Sequence, residues 1–177
     1  MKLIILDRDG VINHDSANYI KSPDEWRPIA GSLNAISQLN QAGFHVIVAT
    51  NQSGIGRGLF EMAALNAIHD KMHKALAQAG ARVDAIFFCP HAADDHCDCR
   101  KPKTGMLEDI ARRLNTALKG VPMVGDSIRD LQAADAAQAL PLLVLTGNGR
   151  KTQRDGALPP ATRVYADLAA AVDALLV

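Results

Sequence analysis

The sequence predicts an α/β fold in which a doubly wound, Rossmann-like parallel sheet of about five strands forms a single domain over residues 1–177. Three observations support this prediction. Five short apolar runs are spread along the chain, segments of helical periodicity separate them, and 177 residues with 48% hydrophobic side chains suffice for one buried core. We therefore expect one sheet that is covered by helices on both faces.

The apolar runs are the predicted strands. They occupy residues 3–6, 44–49, 85–88, 121–124 and 142–145. None of these runs alternates between apolar and polar residues, and this is typical of strands that are buried on both faces, as in a parallel sheet.

The segments between the strands carry apolar residues at helical spacing. The predicted helices cover residues 32–41, 61–79, 105–118, 128–138 and 167–176. In the first of them, Leu33, Ile36 and Leu39 fall on one face. The alternation of strand and helix favours right-handed crossovers, and in such sheets ligands bind beyond the carboxyl ends of the strands.

Composition narrows the expected partners and location. The formal net charge is zero, so no overall positive field attracts a polyanion, and nucleic acid is not an expected partner. The apolar run near the N-terminus is too short for a signal peptide, and no later run reaches membrane-spanning length. We therefore expect a cytoplasmic protein that does not bind membranes. A single domain of this size is also expected to work as a monomer.

Two aspartates follow the first predicted strand. Asp7 and Asp9 are separated by one residue, and Gly10 behind them permits a tight turn. One carboxylate can attack a phosphate ester while its neighbour transfers protons, provided that the phosphoryl charge is neutralised. The pattern therefore predicts phosphoryl transfer with a cation close by.

The ends of other strands supply the remaining groups. Thr50 follows the second strand and opens a glycine-rich turn, whose backbone amides can bind phosphate oxygens. Asp126 follows the fourth strand and brings a carboxylate to the edge of the sheet where Asp7 lies, which indicates an all-oxygen Mg²⁺ site. Lys101 supplies the positive charge that an aspartyl-phosphate and its transition state require.

Four segments in this order resemble the signatures of haloacid dehalogenase-type phosphatases: DRDG, TNQSG, a lysine before the fourth strand, and GDSIRD. The resemblance implies that Asp7 is the nucleophile and a Mg²⁺ ligand. It implies that Asp9 is the general acid and base and lends its backbone carbonyl to the metal. The other residues that it implies are Asp126 as a Mg²⁺ ligand, Asp130 as its support, Lys101, Thr50 and Asn51 at the phosphoryl group, and Gln52 and Ser53 as further substrate contacts.

A cysteine-rich loop follows the third strand. Cys89, His91, Cys97 and Cys99 have the spacing C-x-H-x5-C-x-C, which suits a closed tetrahedral structural Zn²⁺ site in a reducing compartment. His96 is the alternative fourth ligand. The loop at residues 89–99 leads directly into the basic pair at 100–101, so bound zinc is expected to fix that pair beside the phosphate site.

The spacing of the motifs also bears on the substrate. Only a loop and one helix separate Asp7 from Thr50, which leaves no room for a separate cap domain. The chain is similar to uncapped relatives with such a zinc loop, which are sugar-bisphosphate phosphatases and histidinol-phosphate phosphatases, and its motifs favour the sugar bisphosphate. Arg100 is then the expected contact of the second phosphate, because its guanidinium can bind phosphate bidentately.

The same resemblance marks two further positions. Asp15 and Asn18 follow the first motif and are expected to hydrogen-bond sugar hydroxyls. Ser127 departs from the pattern, because many relatives carry a lysine there that helps to recognise substrate.

Two other classes of function fit the sequence less well than a phosphatase does. A phospho-receiver domain also groups aspartates, a threonine and a lysine around Mg²⁺, but its accepting aspartate follows the third strand, where this chain has Cys89. A zinc module that binds nucleic acid conflicts with the neutral charge.

His69 and His73 lie one helical turn apart among polar residues, which indicates a solvated helix face rather than a metal site.

Overall fold

The computed structural model describes all residues from 1 to 177 and contains a six-stranded parallel sheet with the order β3-β2-β1-β4-β5-β6. The strands are β1 (Lys2–Leu6), β2 (Phe44–Asn51), β3 (Ala85–Cys89), β4 (Pro122–Gly125), β5 (Leu140–Val144) and β6 (Arg163–Tyr165). The predicted parallel sheet is confirmed. The sixth strand was not predicted, because it has only three residues at the sheet edge and none of them is buried.

Helices occupy the connections between the strands. They are α1 (Ser32–Gln41), α2 (Ser53–Gly56), α3 (Met62–Gln78), α4 (Gly105–Leu114), α5 (Ile128–Ala136), α6 (Gly149–Asp155) and α7 (Leu168–Leu176). The five predicted helices are present, with ends that move by up to four residues. The short helices α2 and α6 were missed because neither carries an apolar stripe. No helix in the chain has both the length and the apolar composition needed to cross a bilayer.

The buried core lies on both faces of the sheet. In β1, Ile4 and Leu6 pack into one cluster, which also holds apolar residues of α1, α3 and α7. Leu3 and Ile5 point the other way, into a cluster with residues of α4 and α5. Because both faces of the strand are covered, every one of these four side chains is buried, and this explains why the run shows no polar alternation.

The strand order reverses at β1, which lies between β2 and β4. The register pairs Leu6 with Val48 on one side and with Val124 on the other, so the carboxyl ends of three strands lie side by side. The chain segments that leave these strands begin with the predicted site residues. This is the place where ligands bind in doubly wound sheets.

One expectation about α3 was wrong. His73 is exposed, but His69 is buried, with 8% of its surface accessible, and its ring accepts a hydrogen bond from Arg8. A polar side chain whose partner is buried in the fold has the same local sequence pattern as a solvated one.

Candidate active site

A cleft of about 250 Å³ opens at the carboxyl edge of the sheet. The predicted site residues that line it are Asp7, Asp9, Asp15, Asn51, Gln52, Ser53, Arg100, Lys101 and Asp126. Two predicted residues lie elsewhere. Thr50 is buried beneath the cleft, where its hydroxyl accepts a hydrogen bond from Gln52, and Asn18 lines a neighbouring pocket that shares Asp15.

Lys101 is the buried cation at the base of the cleft. Its ammonium nitrogen lies 2.7 Å from a carboxylate oxygen of Asp130 and 3.1 Å from one of Asp7, and it donates to the backbone oxygen of Ala49 at 2.7 Å. Burial by itself lowers the pKa of Lys101, but the carboxylates of Asp130 and Asp7 outweigh burial and raise that pKa above its ordinary value. Lys101 therefore stays charged and faces the cleft.

Three carboxylates surround this single ammonium group. One oxygen from each of Asp7, Asp126 and Asp130 lies within 4.8 Å of the others. Burial, followed by repulsion from Asp130, raises the pKa of Asp7 well above its ordinary value and raises that of Asp126 to about 7. Such a site is short of positive charge, and hard carboxylate oxygens at close range suit Mg²⁺.

Asp130 is the most fully engaged of the three carboxylates. Besides binding Lys101, Asp130 accepts hydrogen bonds from the backbone and the hydroxyl of Ser127, at 3.1 and 3.0 Å. Ser127 at the N-cap and Asp130 three residues later thereby form the capping box at the start of α5. Ser127, the position where the sequence departs from the expected lysine, thus holds Asp130, and Asp130 in turn binds Lys101.

The Asp126 carboxylate lies directly against the backbone of two glycines and accepts a hydrogen bond from Asn148. A Cβ atom at Gly10 would lie 2.0 Å from Asp126 Oδ2, and one at Gly147 would lie 2.2 Å from it, so both positions require glycine. The backbone N–H of Asn148 donates to the same oxygen at 2.8 Å. The side-chain amide of Asn148 also donates to Asp15 at 3.0 Å, which links Asp126 to the loop after β1.

Asp9 is held by neighbours on both of its carboxylate oxygens. Its Oδ1 accepts from Arg8 Nε and Asn13 Nδ2, each at 2.9 Å, and its Oδ2 accepts from Gln52 Nε2 at 3.0 Å. Burial acts to raise the pKa of Asp9, but the Arg8 charge and these hydrogen bonds outweigh burial, so the pKa lies below its ordinary value. Asp9 is therefore ionised before a phosphate arrives.

Asn51 ties the end of β2 to the segment that carries Lys101. Its side-chain amide donates to the backbone oxygen of Lys101 at 3.0 Å and accepts the Lys101 backbone N–H at 3.1 Å. Arg100 and Arg129 line the same cleft, and neither forms an ion pair within the chain. Two free guanidinium groups therefore face the cleft.

The cysteine-rich loop forms a compact cluster of metal-ligating atoms. Cys89 Sγ lies 3.0 Å from Cys99 Sγ, 3.6 Å from Cys97 Sγ and 3.4 Å from His91 Nδ1, and no disulfide joins the thiols. In a tetrahedral Zn²⁺ site the ligand atoms are roughly 3.3–3.8 Å apart, so the four side chains fit one ion. His96 is not part of the cluster.

Comparison with known proteins shows extensive similarity. The HAD-hydrolase-like family profile matches residues 98–171. A D-glycero-beta-D-manno-heptose-1,7-bisphosphate 7-phosphatase of Bordetella bronchiseptica is 64% identical over 99% of this chain and 98% of its own length. One of Pseudomonas aeruginosa is 52% identical over 98% of this chain and 97% of its own length.

The chain belongs to the D-glycero-beta-D-manno-heptose-1,7-bisphosphate 7-phosphatase family.

Solved structures of this heptose-bisphosphatase family agree with the fold. The B. bronchiseptica D,D-heptose 1,7-bisphosphate phosphatase, complexed with magnesium and phosphate, superposes with a TM-score of 0.98 over 99% of this chain and 98% of its own, at 64% identity. The Burkholderia thailandensis enzyme has a TM-score of 0.81 over 99% of both chains, at 51% identity. The chain is therefore a phosphatase with the haloacid dehalogenase-like fold.

Sequence reasoning missed two residues of this heptose-bisphosphatase site. Asn148 was not singled out, although it binds both Asp126 and Asp15. Arg129 was not singled out, although it lies in the first turn of α5 and faces the cleft. Its place three residues after Asp126 was a usable signal, because a side chain in the first helical turn after a strand end remains near that end.

Proposed function

We propose that the chain removes the C7 phosphate of D-glycero-β-D-manno-heptose 1,7-bisphosphate in the synthesis of lipopolysaccharide heptose precursors. The observation that carries this proposal is the pairing of two features in one cleft. At its base lie Asp7 and the buried ammonium of Lys101, 3.1 Å apart, and two unpaired guanidinium groups face the same space. A bisphosphate needs one cationic site for the reacting phosphate and another for the distal phosphate.

The first step is transfer of the phosphoryl group to Asp7. A carboxylate oxygen of Asp7 attacks phosphorus while the bond between phosphorus and the sugar oxygen breaks. Lys101 stabilises the charge on the phosphoryl oxygens, and Asp9 gives a proton to the departing sugar alkoxide, which leaves as the alcohol. The products are an aspartyl-phosphate at Asp7 and the heptose monophosphate.

The second step restores the carboxylate of Asp7. Water attacks phosphorus and Asp9, now ionised, takes its proton, so that inorganic phosphate leaves and Asp7 is free again. The lowered pKa of Asp9 keeps its carboxylate ionised and therefore able to accept this proton. In the first step, the negative charge of the incoming phosphate raises the pKa of Asp9 by repulsion, so that Asp9 takes up a proton from solvent and passes it to the leaving oxygen; the proton gained in the second step returns to solvent.

The carboxylates of Asp7 and Asp126, with the backbone carbonyl of Asp9, are the proposed Mg²⁺ ligands. Their fit to the ion follows from the crowding of three buried carboxylates around one ammonium group. When bound, Mg²⁺ supplies positive charge that stabilises the phosphoryl group in the transition state. The chain itself contributes the rigid support of Asp126 by Asn148 and Gly147.

The remaining predicted residues are proposed substrate contacts. The turn after β2, with Asn51, Gln52 and Ser53, faces the reacting phosphate, while Thr50 supports Gln52 from below. The sugar hydroxyls lie toward Asp15, and Asn18 extends that side of the site. Arg100 is the proposed contact of the distal phosphate.

The Cys89, His91, Cys97 and Cys99 cluster is proposed to hold a structural Zn²⁺ ion. The cluster precedes Arg100 and Lys101 directly, so a bound ion keeps the segment that carries them in place. Three thiolate ligands require a reducing compartment, which supports a cytoplasmic location. All the residues that line the cleft come from one chain. We therefore propose that residues 1–177 act as one domain and as a monomer.

The experiment that tests the substrate is phosphate release by one Zn²⁺-loaded preparation, with Mg²⁺, from the β and α anomers of heptose 1,7-bisphosphate and from histidinol phosphate. The expected result is the highest kcat/KM for the β anomer, because the 64% identical relative is named for that anomer, and the lowest for histidinol phosphate, because a monophosphate leaves the distal site empty. Preference for histidinol phosphate would overturn the proposed substrate while keeping the phosphatase chemistry. As a control, Arg82→Gln changes an exposed arginine outside the cleft and should leave all three rates unchanged.

A further inference from the structure

Arg8, between the two aspartates of the first motif, has a fully buried side chain. Its Nε donates to Asp9 Oδ1 at 2.9 Å, and its Nη2 lies 2.8 Å from the same oxygen. The Arg8 backbone oxygen accepts the N–H groups of Val11, Ile12 and Asn13, so the main chain is fixed as well. Arg8 therefore sets the direction of the Asp9 carboxylate.

The other end of the guanidinium meets His69 on α3. Arg8 Nη1 lies 3.1 Å from His69 Nε2. A guanidinium only donates hydrogen bonds, so Nε2 must be the acceptor and the proton of the neutral ring must be on Nδ1. Burial, and then the Arg8 charge, lower the pKa of His69 to about 4, which agrees with a neutral ring at physiological pH.

The fold offers this guanidinium no substitute for the imidazole. Asp9 and His69 are its side-chain partners, and Nη2 has no hydrogen bond of its own. A buried charged group without a partner is strongly disfavoured, so loss of the ring would let the guanidinium turn toward another acceptor or water. Such a turn would remove two of the three nitrogens that hold Asp9 Oδ1 and would leave only Asn13 Nδ2 on that oxygen.

We infer that His69 is a positioning residue for the acid–base step: its neutral imidazole holds the Arg8 guanidinium against Asp9 and so fixes the carboxylate that transfers the proton. This inference rests on the proposed role of Asp9. It assigns a function to a buried histidine that lies 61 residues from Arg8 in sequence and does not reach the cleft.

The test uses four variants of the full chain with Mg²⁺ and Zn²⁺ present. His69→Leu removes the acceptor, His69→Gln offers an acceptor at a similar reach, and His69→Asn is polar but too short to meet Arg8. His73→Leu, one turn along the same helix and exposed, is the matched control. Should His69→Leu fail to fold, the comparison of His69→Asn with His69→Gln carries the same information.

With heptose 1,7-bisphosphate we expect kcat to fall by about 10- to 100-fold in His69→Leu and His69→Asn, while KM changes by less than about threefold. His69→Gln should keep kcat within about threefold of wild type, and His73→Leu should match wild type. A purely structural role predicts instead an equal loss in every kinetic phase, in proportion to unfolded protein.

The substrate p-nitrophenyl phosphate distinguishes a positioning role of His69 from a purely structural role in one experiment. Its leaving group departs without protonation, so transfer to Asp7 needs no acid, whereas hydrolysis of the aspartyl-phosphate still needs Asp9 as a base. We expect His69→Leu to release a burst of p-nitrophenolate at nearly the wild-type rate and then to turn over slowly. Unchanged steady-state turnover, or equal slowing of both phases, would overturn the inference. Wild-type activity on this ester but not on heptose bisphosphate would overturn the proposed substrate alone.

Discussion

Removal of Mg²⁺ is expected to make the stability of the protein depend on pH through the buried carboxylate of Asp126. Burial, and then the charge of Asp130, raise the pKa of Asp126 from 3.8 to about 7 in the metal-free fold. In the unfolded chain the pKa returns to about 3.9. The folded state therefore binds the proton more tightly than the unfolded state, and stability falls as the pH rises from about 4 to about 7.

The size of this effect follows from the difference between the two pKa values. About three pH units at ~1.36 kcal/mol each give ~4 kcal/mol of destabilisation above pH 7. Roughly 2 kcal/mol of it develops between pH 5.5 and pH 8. For a chain of this length, that corresponds to a decrease in Tm of about 4–8 °C. Mg²⁺ at about 100 times its Kd should restore ~2.7 kcal/mol at pH 8.

The assay is thermal unfolding of wild type and Asp126→Asn at both pH values, with and without Mg²⁺. Free Mg²⁺ should be removed by desalting, because a strong chelator would also extract zinc from the thiolate loop. The asparagine keeps the shape and an acceptor oxygen for Asn148 but carries no charge. We expect Asp126→Asn without Mg²⁺ to exceed wild type in Tm at pH 8 and to gain nothing from the ion. A metal-free wild type whose Tm decreases no more than that of Asp126→Asn would refute the reasoning.

Three further predictions concern single side chains. Asp7→Asn should lower kcat by at least about 1,000-fold with an unchanged circular dichroism spectrum, because the variant loses the nucleophile but keeps the shape of the side chain. Turnover of this variant at the wild-type rate would exclude Asp7 as the nucleophile. Cys97→Ser should reduce bound zinc, measured by elemental analysis, and lower the Tm, whereas His96→Ala should leave both unchanged. Asn148→Ala should raise the Mg²⁺ concentration for half-maximal activity about 10-fold, because it removes the side-chain amide that lies 3.4 Å from Asp126 and 3.0 Å from Asp15, while the exposed Arg150→Ala should not.

Much of the fold could be predicted from local pattern. The run in β1 reads as a buried strand because both faces are covered, and the stripe of Leu33, Ile36 and Leu39 already indicates the helix that covers one of them. Apolar periodicity records burial directly, so elements with large apolar faces are visible in sequence. The strand β6 and helix α6 carry few buried side chains and left no such signal.

The candidate site likewise contains residues that the sequence predicts and residues that it does not. Residues that directly follow strands, such as Asp7 and Asp126, were predictable because parallel strands bring their carboxyl ends to one edge. The zinc-loop residues were predictable because their spacing is local. In both cases the chemistry and its position are encoded within a few residues of each other.

The supporting contacts depend on the tertiary structure alone. The side-chain amide of Asn148 reaches Asp126 across 22 positions of sequence, and the imidazole of His69 reaches Arg8 across 61. Each of these side chains is polar and lies beside polar or exposed neighbours, so its sequence pattern is that of an ordinary surface residue. Only packing decides which polar residues meet a buried partner, because a hydrogen bond depends on positions within about 3 Å that no local periodicity specifies.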